Sequence, residues 1–191
     1  SEAKTQPDIV GMSVATRPDC LPDQVIELLK NLNNTKPVFV ELGLQTIHEE
    51  SAEYIRRGYT LDVYDNALKK LKAAGINVVT HIILGLPGET KSDMLQSVDY
   101  VCKAGTNGIK LQLLHVLNGT DLAADYLQGK FETLSLEEYT EIIKACVAII
   151  PKHVVIHRLT GDGAKKDLIA PLWSADKKKV LNRINKKLNE I

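Results

Sequence analysis

His81-Ile-Ile-Leu-Gly-Leu-Pro-Gly-Glu-Thr90 decides how this chain folds. Ile82, Ile83 and Leu84 form an apolar run that stops at Gly85-Leu-Pro-Gly88, and Glu89-Thr90 then opens a helical pattern. An apolar run of this length, bounded by turn residues and followed by a helix start, reads as a buried strand entering a βα turn. Such turns in α/β proteins are where ligands sit.

Working outward, the same unit recurs. Ile9–Ala15 is read as a buried strand, and a helix starts at Leu21-Pro22-Asp23 and runs to about Asn33. Val38–Leu44 is the second strand, followed by helices over Glu49–Arg57 and Leu61–Ala74, broken at Gly58. Ala74-Gly75 is a C-cap signature. Ile76–Leu84 is the third strand, and Lys91–Lys103 is a helix capped by Thr90 or Ser92. Ile109–Val116 is the fourth strand, with a long loop, Leu117–Leu134, after it. Ser135–Ile149 is a helix whose Ser135 and Glu138 form a capping box. Val154–Leu159 is the fifth strand, and Ser174–Leu188 an amphipathic helix with Val180, Leu181, Ile184 and Leu188 on one face.

Strands apolar nearly throughout, alternating with helices, predict a parallel sheet covered by helices. With no GxGxxG after the first strand, the pattern favours a partial (β/α) barrel over a doubly wound sheet. A complete eight-fold barrel takes about 250 residues; this chain has 191, read as a single domain. Its composition, 44% hydrophobic and 25% charged, excludes disordered and collagen-like classes. Lys plus Arg (24) equals Asp plus Glu (24), so overall charge selects no partner. No apolar run reaches the roughly 18 residues of a membrane span. With no leader read ahead of the first strand, a cytoplasmic location is the default expectation.

Cys20, Cys102 and Cys146 are too far apart for a CxxC motif or a disulfide framework. Chemistry in a parallel sheet gathers at the C-terminal strand ends. Those ends carry Thr16-Arg17-Pro18-Asp19, Gly43-Leu44-Gln45-Thr46, Gly85–Glu89, His115 and His157-Arg158, with Thr160-Gly161-Asp162 beyond. Glu41 and His81 lie inside strands, where an ionisable group must be paired or line a cavity. A metal site from His81, His115 and His157 lacks a carboxylate at ligand spacing. The last helix carries Lys177, Lys178, Lys179, Arg183, Lys186 and Lys187 against Asp176 and Glu190, a surface that is either a solvated face or a phosphate-tracking patch for RNA.

Taken together, TRPDCL (16–21), ELGLQT (41–46), RRGYT (56–60), HIILGLPGET (81–90) and LHVLNGTDLA (114–123) resemble the radical S-adenosylmethionine (radical SAM) superfamily. The likeness is greatest to the elongator-like branch that modifies tRNA wobble uridines. The tail at 155–184 looks like a bacterial subgroup of that branch. The resemblance implies a partial (β/α)6 barrel, with this chain supplying the third to sixth strands and a C-terminal extension. It also implies a 4Fe-4S cluster held by three cysteines, SAM on the cluster, an external electron donor, and a 5′-deoxyadenosyl radical that takes hydrogen from a substrate such as tRNA.

By position the resemblance assigns Gln45, Arg57, His81, Leu84, Gly85 and Glu41 to SAM, with Arg57 on its carboxylate and His81 near adenosine. Arg17, Asp19, Arg158 and Asp162 fall to substrate. Relatives that carry an acid before TRPD have Ala15 here. The cluster cysteines and the first two strands have no counterpart in the chain, which starts at Ser1; the expectation is a C-terminal portion, inactive alone, whose cluster ligands lie in an N-terminal part. An open sheet edge would then invite a second copy. Two other readings stand beside this one. The first is a phosphate-binding aldolase or isomerase using Gly85–Gly88 and Gly161–Gly163, for which Lys110 is the only strand lysine. The second is a non-catalytic module that binds RNA or a protein partner.

Overall fold

The structure is a computed structural model that describes residues 5–161 and 163–189. Five strands form one parallel sheet: β1 (Met12–Thr16), β2 (Val38–Gln45), β3 (Asn77–Leu84), β4 (Gly108–Leu113) and β6 (Val155–Arg158), adjacent in that order. The connecting helices are α1 (Asp23–Asn33), α2 (Glu49–Tyr54), α3 (Leu61–Ala73), α4 (Lys91–Ala104), α5 (Asp121–Leu127) and α6 (Leu136–Ile149). A last helix, α7 (Lys177–Leu188), lies against α6. Strand order that follows chain order, with a helix between neighbours, is the winding of a barrel and matches the partial (β/α) arrangement read from the sequence.

The two faces of the sheet are chemically different. Along β2, Val38, Val40, Leu42 and Leu44 are fully buried, while Phe39, Glu41, Gly43 and Gln45 are only partly so. The buried set joins Ile82, Leu84, Ile109, Leu111, Leu113 and the apolar stripes of α3, α4 and α6 in one core. Burying each such side chain contributes about 1.5–3 kcal/mol, which makes a one-residue slip of register prohibitive. The other face bears Glu41 and His81, which are only partly buried. That open face corresponds to a barrel interior.

Local chemistry sets the ends. Thr90 accepts from the Asp93 backbone and Asp93 reciprocates; Ser135 and Glu138 do the same for α6. Gly75 holds a φ of 72° after α3. Several boundaries differ from the sequence reading. The first ladder begins at Met12, whose N–H bonds Pro37 O at 2.9 Å, so Ile9–Gly11 lie outside the sheet. Helix α2 stops at Tyr54 because Arg56 turns to a φ of 54°. The fourth strand ends at Leu113; Val116–Leu117 (β5) instead pairs antiparallel with Leu168–Ala170 (β7). The expected 117–134 loop contains α5, capped by Thr120 accepting from Ala123 N at 3.1 Å. The last helix starts three residues late, with Asp176 as its N-cap.

Candidate active site on the open sheet face

A row of polar side chains crosses the open face from β1 to β4. Ser13 Oγ donates to Glu41 Oε1 at 2.8 Å. Glu41 Oε2 accepts from His81 Nε2 at 3.0 Å and from Lys110 Nζ. Gln112 Nε2 donates to His81 Nδ1 at 3.0 Å. With Nδ1 accepting, the neutral imidazole carries its proton on Nε2 and presents it to Glu41. Each ionisable member is mostly covered: the side chains of Glu41, His81 and Lys110 are 20%, 18% and 15% exposed.

The electrostatics follow from this geometry. Burial penalises the Glu41 carboxylate, but hydrogen bonds from Lys110 and Ser13 and the Lys110 charge outweigh it and bring its pKa to about 2. Burial lowers the His81 pKa, and the Lys110 ammonium lowers it further against the pull of Glu41. The row therefore holds an ionised acid, a neutral imidazole and an ammonium side by side.

At the C-terminal end of β2 the chain is strained. Gln45 has a φ of 74°, and the β2–β3 register slips between Gly43 and Gln45. A non-glycine residue in the left-handed region at a strand end is characteristic of a ligand-facing turn. A Cβ at Gly43 would lie 3.0 Å from Gln45 Nε2, so the Gln45 amide packs against the glycine. Beside it, Tyr59 donates to Gly43 O and lies between two guanidinium groups, Arg17 at 5.3 Å and Arg57 at 5.0 Å from the ring centre. Arg17 forks onto Asp19 with bonds of 2.9 and 2.7 Å.

The remaining expected residues are placed differently. Arg57 is buried and donates to Tyr59 O at 2.8 Å, Thr46 O at 2.7 Å and both Glu49 oxygens at 3.0 Å. It clamps the turn after β2, and a ligand carboxylate would reach it only by displacing Glu49. Leu84 lies in the core beneath the sheet, so it can face a ligand only through its backbone. Gly85 has a φ of 86°, and the space a Cβ would take is filled by Leu134, 2.9 Å away. Arg158 lies partly buried at the end of β6. Asp162 lies outside the described residues. Ser13, Gln112 and Tyr59 carry no site assignment from sequence, and Lys110 enters there only as the one strand lysine of the aldolase-type reading. The alternation of Lys110 and Gln112 with buried Ile109, Leu111 and Leu113 is the signal that marks their face.

Comparison with known proteins decides the family. The profile of the radical SAM superfamily matches residues 2–101, and that of the radical SAM C-terminal domain matches residues 106–190. The chain belongs to the radical SAM superfamily. YtqA of Bacillus subtilis is 44% identical over 181 residues, covering 95% of this chain and 56% of YtqA. A tRNA uridine(34) acetyltransferase of Methanocaldococcus jannaschii is 31% identical over 156 residues, covering 80% of this chain and 28% of that protein. Among solved structures, the archaeal Methanocaldococcus infernus Elp3 shares the fold, with a TM-score of 0.74 at 24% identity over 93% of this chain and 42% of that one. The chain thus spans little more than half of the curated relative YtqA.

The described residues of this radical SAM chain do not fit an iron–sulfur cluster. None of them form a group of three or more His, Cys, Asp or Glu able to hold a metal. Cys102 and Cys146 are buried, and burial first of all pushes their thiols up to about 11 and about 12, away from the thiolate a cluster needs. The open face, by contrast, offers the acceptors and donors that a cofactor's polar groups require.

Proposed function

We propose that this chain forms the cofactor- and substrate-facing wall of a radical SAM enzyme acting on RNA, with cluster ligands supplied by polypeptide outside residues 1–191. The observation that carries it is the Ser13–Glu41–His81–Lys110–Gln112 row on the face of a radical SAM sheet opposite its buried core. SAM held on this face would supply, given one electron from an external donor, the radical chemistry that takes hydrogen from a substrate.

This chain's residues have separable tasks. Ala15 stands where relatives carry an acid, and its register partner across β1–β2 is Glu41. Glu41, ionised at any physiological pH, supplies that carboxylate from the neighbouring strand, for a SAM hydroxyl or amino group. Gln45, held in its strained turn, directs an amide to the cofactor, and neutral His81 fixes the orientation of Glu41. Arg17, Asp19 and Tyr59 line the substrate side of the rim.

RNA as substrate class is supported by the relative named for tRNA uridine(34) and by the basic N-terminal half of α7. The exposed edge of β1 is where further strands or a second copy would pair. The aldolase-type reading has less support: His115 fills the space at Gly161 and Gly163, and Leu134 that at Gly85, which leaves only the Gly88 end of the first turn open.

The test uses the full-length protein, anaerobically reconstituted with iron and sulfide and given SAM and a reductant. Release of 5′-deoxyadenosine is expected, falling at least tenfold in Glu41→Gln. No release from a cluster-loaded sample, or release by Glu41→Gln with unchanged rate and SAM dependence, rejects the reading.

A further inference from the structure

We propose that Lys110 and Arg158 together form a phosphate subsite on the open face, taking the phosphate of a substrate nucleotide. This rests on the open face being the reaction face.

The subsite is built by an irregularity in the sheet. Ile109 on β4 pairs with Ile156 on β6, but the next residue, Lys110, pairs with Arg158, so β6 spends one extra residue, His157, at this point. Without the slip Lys110 would face His157, and Arg158 would turn with Ile156 toward the helix-covered core. A bulge re-aims side chains in this way. Gly108 accommodates the extra residue: a Cβ there would come within 2.6 Å of the His157 ring. The bulge sets Arg158 beside Lys110, and the Arg158 charge contributes to holding His81 neutral.

Among the described strand side chains of this face, the charged ones are Glu41, Lys110 and Arg158, two cations and one carboxylate. Glu41 engages Lys110 from the β2 side, and the register pairs Lys110 with Arg158 on the β6 side. A planar guanidinium that can bind two oxygens, next to a compact ammonium, is the donor pair that phosphate recognition uses. Lys110, 15% exposed, is already largely desolvated, which strengthens its pull on an anion entering the face.

Uridine 5′-monophosphate, uridine, inorganic phosphate and S-adenosylhomocysteine are the probes, titrated calorimetrically into the full-length protein and its Arg158→Gln, Lys110→Met and Glu41→Gln variants. The nucleotide is expected to bind at least tenfold more tightly than uridine. Arg158→Gln and Lys110→Met should each erase that difference while uridine binds as before. Glu41→Gln should strengthen nucleotide binding while weakening S-adenosylhomocysteine, which separates this proposal from the cofactor assignment of Glu41. Inorganic phosphate should compete with the nucleotide and not with S-adenosylhomocysteine. Equal binding of nucleotide and uridine, an unchanged nucleotide affinity in Arg158→Gln, or displacement of the nucleotide by S-adenosylhomocysteine would overturn the subsite, the last assigning these cations to the cofactor carboxylate. If Lys110→Met loses its circular dichroism signature, Lys110→Arg serves instead, and retained phosphate selectivity is then expected; its loss counts against the proposal.

Discussion

The Glu41 carboxylate on β2 and the Lys110 ammonium on β4 meet across an intervening strand, and His81 on that strand bonds the same Glu41 oxygen. Three ionisable groups on three adjacent strands thus share one acceptor atom. Removing either charged neighbour should move the imidazole in opposite directions. Lys110→Met removes a charge that lowers the His81 pKa, so the pKa should rise. Glu41→Gln removes the group that raises it and should lower it further. Titration of the His81 ring by nitrogen-15 NMR reads both; shifts of the same sign in the two variants contradict the shared-acceptor geometry.

Glu41 also links stability to pH. Its folded pKa of about 2 lies below the ordinary 4.5, so its contribution is complete above pH 4.5 and is lost as the pH falls toward 2. A shift of this size corresponds to on the order of 3 kcal/mol. Urea unfolding should show Glu41→Gln less stable than the parent at pH 7, with the gap closing between pH 4.5 and pH 2. A gap that stays constant over that range would show that Glu41 is not the titrating group.

Gln45 carries strain that glycine would relieve. At a φ of 74° a side chain costs about 1 kcal/mol. Gln45→Gly should therefore leave stability unchanged or raise it by up to about 1 kcal/mol, although glycine loosens the unfolded chain. S-adenosylhomocysteine affinity should drop in the same variant. A stability gain with undiminished affinity would make the strained turn a feature of the fold alone.

The strands and helices were legible because their apolar periods are long and clean: Val38 to Leu44 alternate strictly, and the caps at Thr90 and Ser135 carry their partners three residues on. What was not legible depends on neighbours distant in sequence. Val116 is apolar like Leu113, and only the partner strand at Leu168–Ala170 makes it a separate element. Glu41 and His81 were marked by being ionisable inside strands, but Lys110, 69 residues from Glu41, became their partner only through the register of three strands. Arg57 was assigned to a ligand because it follows GLQT at a familiar distance. Its bonds to Thr46 O and Glu49 depend on how the chain turns after β2, which spacing alone does not report.

Arg57 should therefore behave as a stability residue. Its side chain is 1% exposed and satisfies two backbone carbonyls besides Glu49. Arg57→Met strands those acceptors and should cost on the order of 3 kcal/mol. Arg57→Lys recovers little, since an ammonium cannot reproduce the fork. Full stability of either variant in thermal or urea unfolding, with a loss confined to S-adenosylhomocysteine affinity, would instead restore the ligand-carboxylate role.

The basic helix divides into two parts with different work. Arg183 bonds Glu137, and Lys187 bonds Glu141 and pairs with Glu137, so these cations fasten α7 to α6. Lys177, Lys178 and Lys179 instead line, with Lys165 and Trp173, a shallow concavity of about 500 Å³ at the start of the helix. If α7 tracks an RNA backbone, that end carries the contacts. Charge reversal at 177–179 should weaken tRNA binding and flatten the slope of log affinity against log salt by about 2, at roughly 0.7 per single-stranded phosphate contact. Reversal at Arg183 should act chiefly on stability, by unfastening the helix. Binding and salt slope that survive the triple reversal intact would remove this helix from the RNA-binding surface and leave the open sheet face as the only proposed contact.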